Sequence, residues 1–190
     1  MGLEAAVLLE ARALGASAIA GAPLPWLPSR GHLDPVVQRD APAEVVEALD
    51  ELHAALGGNR SALARKAATS LQPDLVVASS GQLVEIDEIQ HFTAARLTSL
   101  SLYPSRLSFG FSIDQYRSLI DTWKAKANAV FTRRWSPDFD FVGGRRAQRA
   151  YYDALKDLLA PTFTGMPVLR IPVPDGDAHR AAHVLAARLS

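Results

Sequence analysis

Residues 72–91 read QPDLVVASSGQLVEIDEIQH, and the architecture of the chain turns on them. Two β-type runs, Leu75-Val76-Val77 and Leu83 to Ile89, flank the small, flexible turn Ala78-Ser79-Ser80-Gly81, which predicts a β-hairpin. A hairpin has no need of the acids this one carries: Asp74 opens the first run, and Glu85, Asp87 and Glu88 lie in the second. Side chains alternate along a strand, so Glu85 and Asp87 share one face while Val84 and Ile86 share the other. Two carboxylates side by side repel and are costly to bury unpaired. A hard divalent cation relieves that cost through oxygen ligands, with Asp74 on the paired strand as a third donor. The alternative from spacing alone is an edge hairpin whose acids face water.

The pair Pro73-Asp74 at the start of one strand, followed by Glu85-Ile86-Asp87 on the next, resembles the PD-(D/E)xK nuclease superfamily. The run Leu83-Val84-Glu85-Ile86-Asp87-Glu88-Ile89-Gln90-His91 is similar to the branch related to very-short-patch-repair endonucleases, matching its E-x-D-x-x-Q-H spacing. Glu88 stands where that branch usually has glycine, and the motif has no lysine. The resemblance implies a restriction-endonuclease-like α/β core, a central mixed β-sheet flanked by helices, preceded by an N-terminal helical extension. It implies a nuclease hydrolysing DNA, with RNA as the other substrate. Asp74, Glu85 and Asp87 would hold Mg²⁺ or Mn²⁺, Gln90 would orient a water, and His91 would act as general acid or base.

The 190 residues carry no cysteine, formal net charge 0 and 48% hydrophobic residues. They describe an ordinary globular chain with room for a substantial core. Disulfides and thiolate metal sites are excluded. The absence of cysteine fits a reducing, cytoplasmic setting. Zero net charge does not favour a general nucleic-acid binder, although a basic groove can balance an acidic site.

Residues 3–20 are rich in Ala and Leu and predict a helix. Its charged residues Glu4, Glu10 and Arg12 argue against a membrane span, and the absence of a basic lead-in argues against a signal peptide. Residues 22–42 hold Pro23, Pro25, Pro28, Pro35 and Pro42 and read as an extended connection packed through Trp26 and Leu27. The expected organisation is therefore residues 1–41 as helix and Pro-rich connection, and 42–190 as the nuclease-like domain. Pro42 opens a helix with the stripe Val45, Leu49, Leu52 and Leu56, ended by Gly57-Gly58. Glu47 on its other face is either one more metal-site acid or part of a solvated face. Ser61 is expected to cap a short helix through Ala68. Residues 92–102 are left unplaced between helix and loop. A strong helix is predicted from Asp114 to Val130, buried through Tyr116, Ile120, Trp123 and Ala127.

Residues 133–149 follow, with Arg133, Arg134, Arg145, Arg146 and Arg149 among Trp135, Phe139 and Phe141. Arginine beside aromatic rings suits phosphate contact and base stacking. Arg133, Arg134, Arg145, Arg146 and the helical Lys124 are therefore the candidate nucleic-acid contacts, against a plain surface of paired arginines. A helix from Arg146 to Leu159, ending before Pro161, precedes the core strand Val168-Leu169-Arg170-Ile171, and Asp177 caps a last helix. Its His179 and His183 at i, i+4 read as a surface pair unless a third ligand lies near. Two rivals to the nuclease reading stand: a nuclease fold without catalysis serving as a nucleic-acid-binding module, and an interaction protein engaging a protein partner or its own copy as a homodimer. No membrane partner is expected.

Overall fold

The hairpin forms as its sequence predicts and sits inside a larger sheet. The computed structural model describes residues 2–129 and 136–190. Strands β2 (Leu75–Val77) and β3 (Leu83–Asp87) pair antiparallel, with Leu75 opposite Val84. Strand β4 (Leu169–Pro172) joins β3 in parallel, Glu85 opposite Arg170. Strand β1 (Ala18–Ala20) runs antiparallel to β2, giving a mixed four-stranded sheet in the order β1-β2-β3-β4. The predicted second strand ends earlier than expected, because Ile89–His91 coil into a 3-10 turn. Every residue of β3 is buried. That is the behaviour of a strand covered on both faces, and it excludes the solvated edge hairpin.

Both faces are covered by helices. On one, Leu75, Val77, Val84, Ile86, Leu169 and Ile171 form an apolar layer with helices α1 (Leu3–Ala13) and α8 (Ala178–Leu189), through Val7, Ala11, Ala182 and Leu185. On the other lie α3 (Ala43–Ala55), α5 (Ala94–Ser101), α6 (Ile113–Ala129) and the long α7 (Gly144–Thr164), which share a second core. The short helices α2 (Pro35–Asp40) and α4 (Arg60–Arg65) complete the chain among the described residues. The α/β architecture with a mixed sheet between helical layers is thus the one expected. Residues 1–41 supply an edge strand and a covering helix, so they belong to the same layered unit.

Several local expectations are corrected. The first helix stops at Ala13 because Gly15 (φ 92°) closes it: Ala16 N–H donates to Ala11 O (2.9 Å) and Gly15 N–H to Arg12 O (3.0 Å). This left-handed cap satisfies the last carbonyls and turns the chain into β1. The unplaced residues 92–102 form α5, capped by Thr93, whose hydroxyl accepts from Arg96 N–H. Asn59, not Ser61, caps α4, its side-chain oxygen accepting from Ala62 N–H. Helix α7 does not end before Pro161 but runs through it. Pro161 removes one N–H in the closing turn only, and the buried Leu158, Leu159 and Ala160 hold that turn against the core. The stripe of α3 and the Asp177 cap form as predicted; in α6 Tyr116, Ile120 and Ala127 are buried as expected, but Trp123 is only partly buried. Trp26 stacks on Phe163 with centroids 4.9 Å apart, and Leu27 is buried.

Candidate functional site

The alternation of β3 turns Leu83, Glu85 and Asp87 away from the apolar α1–α8 layer and toward α7. Asp74, one residue before β2, stands on the same side, and its Oδ2 accepts a hydrogen bond from Ile86 N–H at 2.7 Å. Helix α7 answers with Lys156, whose Nζ lies 2.6 Å from Glu85 Oε2. Glu85 Oε1, fully buried, has no hydrogen-bond partner among the described residues. Burial pushes the Glu85 carboxyl up to about 7, Lys156 opposing the rise and Asp74 adding to it. Asp74 is raised by burial too, with Lys156 again opposing. Burial disfavours the Lys156 ammonium, but Glu85, Asp74 and Asp153 outweigh it, and its pKa lies above the ordinary lysine value. Two carboxylates whose pKa values burial raises thus meet one cation on this face of the sheet, with one carboxylate oxygen left unsatisfied among the described residues.

Asp87 is spent elsewhere. Its carboxylate accepts from both Arg170 Nη1 (2.8 and 3.0 Å) and Tyr116 Oη (2.5 Å), and His91 Nδ1 lies 3.3 Å away. Arg170, fully buried, also donates through Nε to Asp157 Oδ1 at 2.7 Å and reaches Asp153 at 3.4 Å. Asp157 further accepts from Arg96 Nη2 (2.7 Å) and Tyr103 Oη (2.6 Å). His91 Nδ1 pairs with Asp153 Oδ2 at 3.0 Å. Burial lowers the His91 pKa, but Asp153 and Asp87 more than compensate, so it is raised overall. Asp153 is correspondingly held well below the usual carboxylate range, His91 and Arg170 overcoming its burial. Asp87, Asp153 and Asp157 therefore face Arg96, Arg170 and a readily protonated His91: a closed, near-neutral buried network. Asp87, His91 and Asp153 do bring ligand atoms within 4.8 Å of one another. The Arg170 guanidinium already neutralises that group, and a divalent ion would have to displace it. Asp74, Glu85 and Asp87 form no such three-oxygen group among the described residues.

Lys156 opens onto a cleft of about 120 Å³ lined by His91, Arg145, Arg149, Tyr152, Asp153 and itself. A neighbouring hollow of about 360 Å³ shares Arg145, Tyr152 and Lys156 and runs to Ser70, Leu71 and Gln72, just ahead of Asp74. The wall is basic and carries one aromatic ring. Arg149 Nη1 lies 3.2 Å from His91 Nε2. That contact is a hydrogen bond only while Nε2 is unprotonated.

Of the residues singled out from the sequence, Asp74 and Glu85 meet Lys156 behind the cleft, Arg145 lines it, and His91 lines it with its ring tied into the network. Gln90 turns away and donates to Glu88 Oε2 at 3.2 Å. Arg146 donates to Asn128 O and lines a separate hollow with Phe141, while Lys124 pairs with Asp121 (2.7 Å) on an exposed helix face. Glu47 is exposed. Arg133 and Arg134 lie outside the described residues. Sequence reasoning missed Lys156. Its signal is the charged row Arg149, Asp153, Lys156 at i, i+4, i+7 on a helix otherwise buried through Ala and Leu.

No curated protein and no solved structure matches the chain. One family model does, over residues 51–187, a span that holds Asp74, Glu85, the buried network and all of α7. The chain belongs to a family of unknown function, DUF7255.

Proposed function

We propose that the protein is a metal-dependent phosphodiesterase acting on DNA, with Asp74 and Glu85 as the metal-holding carboxylates and Lys156 as the catalytic cation. The observation that carries this reading is the buried Glu85 Oε1, without a hydrogen-bond partner among the described residues, beside Asp74 and behind Lys156, which pairs with Glu85 at 2.6 Å and lines a basic cleft. An orphaned carboxylate oxygen is costly and fits a cation-binding role. Its donor set, carboxylate oxygens alone, suits Mg²⁺ or Mn²⁺. When bound there, such an ion supplies Lewis acidity toward a phosphate oxygen and makes a nearby water more acidic. Lys156, held as an ammonium, would donate to a non-bridging phosphate oxygen, where charge grows as water adds to phosphorus and the ester oxygen leaves; the attacking water would give its proton to solvent and the leaving oxygen would take one from solvent. Arg145 and Arg149 grip the flanking phosphates, and Tyr152 offers its ring to a base. Lys156 thus takes the place of the lysine missing from the hairpin motif. Asp87 is left out of the ligand set and fixes the floor of the site through Arg170.

One observation favours the rival reading, a nuclease fold that binds without cleaving. Lys156 Nζ sits directly on Glu85 and already neutralises it. Calorimetric titration of Mn²⁺ into wild type, Asp74→Ala and Glu85→Gln separates the two. The enzyme reading expects binding in the wild type that is lost in both variants. Absence of binding in the wild type, even with DNA present, leaves the binding module.

A further inference from the structure

On the α1–α8 side of the sheet, His179 and His183 stand one turn apart on α8, both exposed, with ring centroids 4.5 Å from each other. The third ligand that the sequence did not supply comes from α1. His179 Nδ1 contacts Glu10 Oε1, and ligand atoms from Glu10, His179 and His183 all lie within 4.8 Å of one another. We infer that Glu10, His179 and His183 form a surface site for a borderline transition-metal ion of the Zn²⁺ class, clamping α1 onto α8.

The geometry is built, not incidental. Helices α1 and α8 are locked together by fully buried Val7 and Ala11 against Ala182 and Leu185. Glu10 lies between Val7 and Ala11 in α1 and so emerges at the edge of that seam, beside the histidine turn. Histidines at i, i+4 project from one helix face, the arrangement by which a helix offers two imidazoles to one ion. Zinc–nitrogen and zinc–oxygen bonds of about 2.0–2.2 Å place tetrahedral ligand atoms about 3.3–3.6 Å apart, inside the 4.8 Å within which these three lie. Exposed side chains make that adjustment by small rotations. Two imidazoles and a carboxylate favour Zn²⁺, Ni²⁺, Co²⁺ or Cu²⁺ over Mg²⁺, the reverse of the preference at Asp74 and Glu85. Three protein ligands leave further positions to water. Glu10 precedes the family-matched span of residues 51–187, whereas both histidines lie inside it. The ion would therefore fasten the N-terminal helix to the part of the chain held in common with the family.

The test is titration of tag-free protein with Zn²⁺, and with Co²⁺ followed by its visible absorption, slightly above neutral pH. Wild type is run beside His183→Ala, Glu10→Gln and Asp74→Asn. Partners one shell out from a metal are already worth about 10- to 100-fold in affinity, so loss of a direct ligand weakens binding at least about tenfold. That loss is expected in His183→Ala and in Glu10→Gln, while Asp74→Asn keeps the site. The thermal midpoint of the wild type should rise with Zn²⁺, and that of Glu10→Gln should not. Unchanged affinity in His183→Ala overturns the site. Loss in His183→Ala with full retention in Glu10→Gln overturns the clamp. Because Glu10, His179 and His183 are outside the core, neither His183→Ala nor Glu10→Gln puts the fold at risk, and failure here leaves the phosphodiesterase reading untouched.

Discussion

At Glu85 two demands conflict. The strand places the carboxylate where burial favours the neutral acid, and Lys156 keeps it partly ionised, so it titrates at about 7. A metal ion binds the ionised form. Below that pH a proton competes for Glu85, and Mn²⁺ affinity should fall about tenfold per pH unit, levelling above it; a pH series of calorimetric titrations checks this, and Glu85→Gln should abolish both binding and slope. Lys156→Met leaves Glu85 buried without its counter-charge and removes the donor to the reacting phosphate. Cleavage should drop at least about 100-fold, the scale on which a single charge-stabilising donor acts. Asp74 and Glu85 were legible because they are adjacent across a hairpin and break its apolar pattern. Lys156 was not, since it reaches Glu85 across 71 residues of chain, and only a paired helix and strand bring the two together.

Helix α7 and the hairpin carry the site, and their seating depends on a few close approaches. A Cβ on Gly21 would stand 2.0 Å from Pro73 O, where Gly21 N–H donates to Asp74 O at 2.9 Å. Gly21→Ala must therefore push β1 from β2 and shift Asp74. The expected loss is about 1–3 kcal/mol of stability, read by chemical denaturation, together with weaker metal binding. The elements with strong local signals were legible: the hairpin, the amphipathic α3 and α6, the Asp177 cap. Strand β1 was not, because Ala18, Ile19 and Ala20 continue an Ala-rich helical composition and only the Gly15 turn and pairing with Val76 make them a strand. Helix α5 was hidden in a similar way: its buried positions include Arg96, which pairs with Asp157 and Tyr103, and Ser99, whose hydroxyl donates to Arg96 O, where a sequence reading looks for apolar side chains.

Over the whole molecule the sheet divides the chemistry: one face is sealed by apolar α1–α8 packing, and the other holds the ionic network under α7. Arg170 sits at the centre of that network. Arg170→Met leaves Asp87, Asp153 and Asp157 short of a counter-charge and should cost about 3–5 kcal/mol, as breaking a buried ion pair does. His91 gives the network a pH dependence. Its folded pKa is raised above the ordinary 6.5, so the folded state holds its proton more tightly than the unfolded chain. The stability this contributes is complete below about 6.5 and is lost as pH rises through the folded value. Denaturation midpoints of wild type and His91→Gln should therefore converge as pH increases above neutrality. The layered α/β architecture was readable from the order of strand and helix signals; the placement of Asp87 was not, because its strand position is equally compatible with a metal and with an arginine from the neighbouring strand. The central claim is that Asp74, Glu85 and Lys156 form one hydrolytic site, and the most direct measurement is cleavage of end-labelled single- and double-stranded DNA with Mn²⁺ or Mg²⁺ by wild type, Asp74→Ala and Lys156→Met. Metal-dependent cleavage by the wild type that disappears in both variants is the predicted result; metal-independent cleavage, or cleavage that survives either substitution, would contradict it.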